Sequence, residues 1–466
     1  MKKKIDKDKA LATPKALHTF YHLLGNTLLV SIINFTVWFA ITFFVYLETK
    51  SVFATGMIAG LYLIATAGTG IWFGSLVDHH KKKTMMTISA IISLVMYAIS
   101  LAVYLLAPED AFKDPASVWL WSLVVLLMLG VIVGNIRTIA MPTLVTILIP
   151  EDRRDKANGL VGTASGVSFL VTSVISGLLV AWGGMLYVLI LAMGVLLAAV
   201  LHILKVEVPE KGIVHIEGEP EGKKVDLKGT LKVVKAIPGL IALILFTTFN
   251  NFLGGVFMAL MDPYGLSLMP VEAWGLLWGF LSTGFIIGGL IIAKTGLGKN
   301  PLRALLLINV ILWIDTMIFP LQSSIILLAI GMFIYMVLVP YAEASEQTIL
   351  QRVVPLHRQG RVFGFAQSVE QSASPLTAFL IGPIAQFIFI PFMTTGAGVT
   401  MIGGWFGTGT DRGIALVFIL TAVIGLIVTL LAFASRFYRQ LSAQYLNGGN
   451  VKADQESIPA PQETAL

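Results

Sequence analysis

Twelve long apolar stretches follow one another from Phe20 to Phe437, each about the length that crosses a lipid bilayer. The hydrocarbon core needs ~20 consecutive apolar residues per helix. Lipid cannot satisfy backbone N–H and C=O groups, so only helices and closed barrels traverse it. The apolar runs here are continuous rather than alternating, which predicts helices. Composition points the same way, with 56% hydrophobic and 12% charged residues, where a globular domain carries about a quarter charged. The expected fold is an all-α membrane protein with spans at 20–46, 53–77, 84–106, 118–148, 157–181, 185–204, 238–261, 272–293, 303–321, 325–350, 361–393 and 413–437.

The net charge of +6 is a topology signal rather than a nucleic-acid-binding patch. Of the 32 Lys and Arg residues, 28 fall in the two tails and in alternate loops, while the opposite loops hold only Lys50, Lys113 and Arg412. Basic loops stay on the cytoplasmic side, so both termini are expected there, in a multi-pass protein of the bacterial inner-membrane type. The first span is far longer than a signal-peptide core and lacks a small-residue cleavage site. The chain has no cysteine, which excludes disulfides and thiol chemistry.

Residues 206–236 interrupt the apolar pattern with six acids, six lysines and several Gly and Pro residues. Six spans precede this segment and six follow it. The expected organisation is a tail over 1–19, a six-helix bundle over 20–205, a linker over 206–236, a second bundle over 237–438 and a tail over 439–466. A 6 + 6 arrangement invites a search for an internal repeat. An offset of 205 places Pro150, Arg153, Lys156, Gly159 and Gly177 on Pro355, Arg358, Arg361, Gly364 and Gly382. Asn34-Phe35 in span 1 is matched by Asn251-Phe252 in span 7.

Between spans 2 and 3 the chain reads Gly74-Ser75-Leu76-Val77-Asp78-His79-His80-Lys81-Lys82-Lys83. A small residue at Gly74 permits close helix approach, Asp78 can cap the positive end of another helix, and the lysines suit an anionic leaflet. This loop resembles the signature of the major facilitator superfamily. The resemblance covers essentially the whole chain and implies two pseudo-symmetric six-helix bundles. It also implies a conformational latch of Gly74, Asp78, Lys81, Lys82 and Lys83 against the start of span 11, beside Arg358 and Arg361. Within the superfamily the chain looks most like the twelve-span drug-efflux branch that includes macrolide exporters. The segments that carry this are Pro150 to Leu160 and its counterpart from Gln351 to Gly364. The chain departs from the antiporter pattern in span 5, where Thr172-Ser173-Val174-Ile175-Ser176-Gly177 replaces a Gly-Pro step. The second-half copy of the loop, from Gly289 to Arg303, carries no aspartate.

Ionisable residues inside a span are costly and mark function by default. Five stand out: Arg137, Asp315, Glu343, Glu346 and Glu370. Glu343, Glu346 and Gln347 share one helix face. The expectation is that Arg137 pairs with one of these glutamates across a central cavity when it closes, while another carboxylate, Glu370 foremost, carries a proton. Asp315 is expected to be structural. Asn34, Trp38, Asn250, Asn251 and Gln347 are candidate substrate contacts. The histidines of the loops lack acid partners at ligand spacing, so neither a metal nor a cofactor is expected. No phosphate-cradling loop is present. The resulting expectation is a monomeric secondary transporter, not an enzyme, that exchanges protons for amphipathic or lipophilic small molecules. Export of a specific metabolite such as a siderophore or lipid-like compound, or import, are alternatives on the same fold.

Overall fold

The computed structural model describes residues 14–49, 52–108, 110–210 and 227–447. The basic residues of 1–13 and 211–226, Lys50 and the segment from 448 onward lie outside the described residues, as do the side chains of Ser173 and Gly177. The described chain is helical throughout its regular structure. In the first half the helices are α1 (Pro14–Thr49), α2 (Val52–His79), α3 (Lys82–Leu106), α4 (Val118–Gly134), α5 (Ile136–Leu148) and α6 (Arg154–Lys205). A short amphipathic α7 (Leu227–Ala236) leads to α8 (Leu240–Leu268), α9 (Val271–Thr295), α10 (Pro301–Ile318), α11 (Ile325–Val353), α12 (Gln359–Ile384), α13 (Thr410–Ala434) and α14 (Arg436–Leu446).

Three places show how local chemistry sets these boundaries. Spans 5 and 6 form one helix whose backbone breaks at Gly183 and Gly184, the latter at φ 58° and ψ −152°. That conformation is closed to residues with a Cβ, and it reverses the chain between two spans without a loop. Span 4 is divided at Asn135, whose N–H bonds to Ile132 O. Span 11 runs past Pro383 into a wide turn over Ala385–Phe389, a distortion that Pro induces by removing a backbone donor.

Among the described residues, eleven segments are long and apolar enough to cross a membrane. The part of α6 before Gly183 is rich in small residues, among them Gly159, Gly162, Thr163, Ser165, Gly166 and Ser168. This segment packs between α1 and α9, where close approach matters more than solubility in lipid. The outward faces of other helices are apolar, as at Phe379 (81% exposed) and Leu276 (78%). So much exposed apolar surface needs lipid to cover it.

The sequence halves meet along two seams, α2 against α12 and α6 against α9. Both seams are built from glycine. A Cβ at Gly74 would stand 2.4 Å from Gly360 O, and one at Gly364 would stand 2.3 Å from Gly70 O. On the other seam, a Cβ at Gly159 would stand 2.7 Å from Ala293 N, and one at Gly289 2.5 Å from Thr163 N. Backbone-to-backbone packing of this kind substitutes dispersion for the missing hydrophobic drive within a bilayer. Both seams lie toward the end of the molecule that carries the turn at His80–Lys81, called here the loop end. The main apolar core follows suit, joining Val77 and Ile149 of the first half to Leu302, Ile349, Val362 and Phe363 of the second. A second core, around Tyr264, Trp274, Phe319 and Phe418, belongs to the second half alone.

The 205-residue repeat has a local structural counterpart. Pro150 and Pro355 each precede one 3₁₀ turn, Glu151–Arg153 and Leu356–Arg358, and each turn feeds a long helix, α6 or α12. Gly159 and Gly364 then make the equivalent close contacts on the two seams.

Candidate functional site

A cavity of about 520 Å³ lies between the halves, within the usual range for small-molecule sites. One wall comes from α1, α4, α5 and α6 through Thr27, Asn34, Arg137 and Ser168. The other comes from α8, α11 and α12 through Asn251, Glu343, Glu346, Gln347 and Glu370. Apolar residues such as Leu24, Phe35 and Phe363 separate the polar groups.

The acidic wall is ordered by helix spacing. Glu343, Glu346 and Gln347 occupy adjacent turns of α11, and Glu370 reaches them from α12. Thr247 of α8 donates to Glu370 Oε1 at 2.7 Å. Glu346 and Glu370 are hydrogen-bonded to each other, and both contact Thr247. Two carboxyls in contact can share a proton, since an ionised carboxylate offers no donor of its own. Glu343 stands apart and faces open space in the cavity.

Arg137 is 2% exposed and the structure places it with neither glutamate. Its Nη1 donates to Asn26 Oδ1 at 2.8 Å and its Nη2 to Met86 O at 3.0 Å. Both partners belong to the first half, so the cross-cavity pair is not formed in this conformation. Asn34 lines the cavity and accepts from Tyr97 Oη at 3.0 Å. Asn251 also lines it, and its carbonyl accepts from Ser374 Oγ. Trp38 and Asn250 do not line it: Trp38 stacks on Tyr62 with ring centroids 4.0 Å apart, and the Asn250 amide turns back to Phe246 O. Asp315 lies on α10, away from the cavity lining.

At the loop end the cavity is sealed. Asp78, 6% exposed, accepts from the backbone N–H of Gly360 at 2.6 Å and of Arg361 at 2.8 Å. Arg361 Nε lies 3.3 Å from the same carboxylate. The first N–H groups of a helix have no internal partner, and the helix dipole adds positive charge there. Arg358 occupies the position just before α12. Lys82 and Lys83 turn elsewhere, giving their backbone N–H groups to Glu210, while Lys81 is exposed at the start of α3.

Further polar bonds join the halves beside this contact. Asn158 Nδ2 donates to Thr348 Oγ1 and Gln351 Oε1 at 2.8 and 2.9 Å, and Gln351 Nε2 donates to Pro142 O. Glu151 pairs with Arg352 at 2.6 Å. Asp155 Oδ2 accepts from Leu297 N at 2.8 Å. Sequence reasoning passed over Thr247, Asn158, Thr348 and Gln351 as functional residues. The repeat around Pro150 and Pro355 already marked the neighbourhood of Asn158 and Gln351, whereas nothing in the sequence singled out Thr247.

Helices that cover themselves with lipid-facing side chains, and a polar cavity between two glycine-seamed halves, define a membrane transporter of small molecules rather than an enzyme. Residues 23–378 match the family described as Major Facilitator Superfamily, and the chain belongs to it. Macrolide efflux protein A of Streptococcus pyogenes is 24% identical over 389 residues, covering 79% of this chain and 90% of that protein. Among solved structures, a bacterial homologue of the iron transporter ferroportin in its outward-facing state has a TM-score of 0.65 at 13% identity, covering 90% of this chain and 100% of that one. The proton:xylose symporter XylE has a TM-score of 0.63 at 12% identity, covering 92% and 99%. These structures share the fold.

Proposed function

We propose that the protein is a proton-coupled exporter of amphipathic or lipophilic small molecules, working by alternating access of two six-helix halves over 20–205 and 237–438 around the cavity. The observation that carries this reading is the Glu346–Glu370–Thr247 cluster on the cavity wall. Its two carboxyls share a proton while the site is empty, and a cationic or hydrogen-bonding substrate entering beside them competes for the same oxygens. Competition of this kind is all that exchange requires: the site holds either the proton or the substrate, and either load permits the halves to turn over. Amide and hydroxyl groups interleaved with aliphatic and aromatic ones favour a substrate that is itself amphipathic. The relatives' name, macrolide efflux, supports the direction. The distribution of Lys and Arg supports placing the loop end and both termini in the cytoplasm, which makes the sealed conformation outward-facing.

The test is transport by the purified protein in proteoliposomes under an imposed pH gradient, with a macrolide and a lipophilic cation as probes. Glu370→Gln and Glu346→Gln are expected to lose gradient-driven accumulation by 10-fold or more, as loss of an essential protonating group does (about 10²–10⁴-fold in general acid–base systems). Both should retain downhill exchange of the probe. Full gradient dependence in both variants would remove the carboxyl pair from the coupling step.

A further inference from the structure

A second cavity, of about 210 Å³, lies within the second half between α8, α9, α10 and α11. No residue lines both it and the central cavity. It sits away from the loop end: α11 reaches that end at Gln351, whereas Met332, Tyr335 and Met336 belong to its first half. On α8 the second cavity starts at Gly254, one turn past Asn251 of the central cavity. On α11 it stops at Met336, one turn before Pro340. These steps are about 4–6 Å along each helix.

The local sequence leaves this space open. Gly254 and Gly255 are neighbours on α8 with different surroundings. A Cβ at Gly255 would stand 2.2 Å from Ser374 O, so close approach of α12 accounts for that glycine. A Cβ at Gly254 would meet nothing within 4 Å. No contact requires that glycine, and the side chain it lacks is part of the cavity's volume. Four of the eleven lining residues are methionines, Met258, Met261, Met332 and Met336. Their flexible thioethers adapt to varied shapes and make favourable contacts with aromatic rings. The aromatic lining is anchored in the protein: Phe257 stacks on Phe418 with centroids 4.8 Å apart, and Trp278 meets Trp274 edge-on at 5.8 Å.

Asp262 brings the one carboxylate to this lining, and no lysine, arginine or histidine is among the described lining residues. Trp274 Nε1 donates to its Oδ1 at 2.9 Å, which holds the group in place on an exposed rim. Among the described residues no donor meets Oδ2. A carboxylate without a basic partner, beside thioethers and aromatic rings, selects a cation with an apolar body. Ring faces attract the positive charge, and the apolar body gains by leaving water. A lipid tail would satisfy the walls and leave the carboxylate unmatched. The volume falls below the ~300–1,000 Å³ of drug-sized sites, which limits the occupant to a single ring or a short chain with its ammonium group.

We propose that this cavity is a binding site for a small lipophilic ammonium ion, separate from the central cavity, with the charge at Asp262 and the apolar body among the methionines. The test is equilibrium binding of radiolabelled benzyltrimethylammonium to the full chain in lipid nanodiscs. Gly254→Leu fills the cavity and should weaken binding at least 10-fold. Asp262→Asn keeps an acceptor for Trp274 Nε1, so it removes the charge without disturbing the contact between α8 and α9, and should also weaken binding at least 10-fold. The double variant Glu346→Gln with Glu370→Gln should bind the probe within threefold of the native protein. Absence of binding to the native protein, unchanged binding in either Gly254→Leu or Asp262→Asn, or loss of binding in the glutamate double variant would each overturn the proposal. So would a lipid tail resolved in this cavity by electron cryomicroscopy at saturating probe. The readout is binding rather than transport, so this site can fail while the carboxyl pair stands, and the reverse.

Discussion

Asp78→Asn removes a charge from one buried contact while leaving its volume almost unchanged. In the sealed conformation Asp78 Oδ1 accepts from Gly360 N at 2.6 Å and Oδ2 from Arg361 N at 2.8 Å. An asparagine keeps one acceptor and turns a donor toward the other N–H. Loss of a hydrogen bond to a charged group costs about 1.5–3 kcal/mol, and loss of a carboxylate at a helix N-terminus costs about 0.3–2 kcal/mol more. Part of this is offset, because burying an amide is cheaper than burying a carboxylate. A net shift of about 2–3 kcal/mol toward the loop-end-open state follows, a change of roughly 30- to 150-fold in the ratio of the two states. The chain has no cysteine, so a pair introduced as Thr84→Cys and Gln440→Cys supplies unique spin-label sites. Both positions are exposed at the loop end, on opposite halves. Electron–electron distance distributions in nanodiscs should gain a longer component in Asp78→Asn. A ratio of short to long distances that moves by less than threefold would refute the assignment of Asp78 as the contact that holds this end shut.

Gly74→Leu should push the same distribution outward even with Asp78 intact, since its Cβ alone would stand 2.4 Å from Gly360 O; an unchanged short distance would mean that the α2–α12 seam yields without opening. Arg412→Met should lower the thermal unfolding midpoint in detergent. Arg412 is 1% exposed and donates to Asp411, Pro320 O and Tyr264 Oη, and breaking one side of a buried ionic contact costs about 3–5 kcal/mol. An unshifted midpoint would assign that stability elsewhere.

The fold was legible because the bilayer imposes a length rule that composition cannot hide. The first part of α6 obeys the same rule with smaller residues, and Gly159 and Gly166 let it approach α9 closely. The glutamates were legible for the complementary reason, that an acid in an apolar span has to be explained. Arg137 was equally visible, yet its partner was not. Pairing it with a glutamate across the cavity assumes that opposite charges find each other, whereas the neutral amide of Asn26 on α1 offers the same acceptor without crossing the cavity. Trp38 and Asn250 failed for a related reason: depth along a helix is written in the sequence, but the direction a side chain faces depends on where its neighbours leave room.

The absent second aspartate shows how a repeat can keep an interaction while losing its motif. On the first seam the acid is Asp78, at the end of α2, and the amides are those of Gly360 and Arg361 at the start of α12. On the second seam α9 ends without an acid, and Asp155 in the first turn of α6 takes Leu297 N beyond the end of α9. Under the 205-residue offset Asp155 falls on Gly360, so the acid and the amide have exchanged sides. The two contacts are not equal in strength. Asp78 is buried against two N–H groups at a helix N-terminus, whereas half-buried Asp155 takes a single amide across the seam, its other oxygen accepting from its neighbour Lys156 N, and the cross-seam bond is worth about 1.5–3 kcal/mol at most. The seam at α2 and α12 should therefore be the one whose rupture limits opening of the loop end, and the seam at α6 and α9 the pivot that gives way after it.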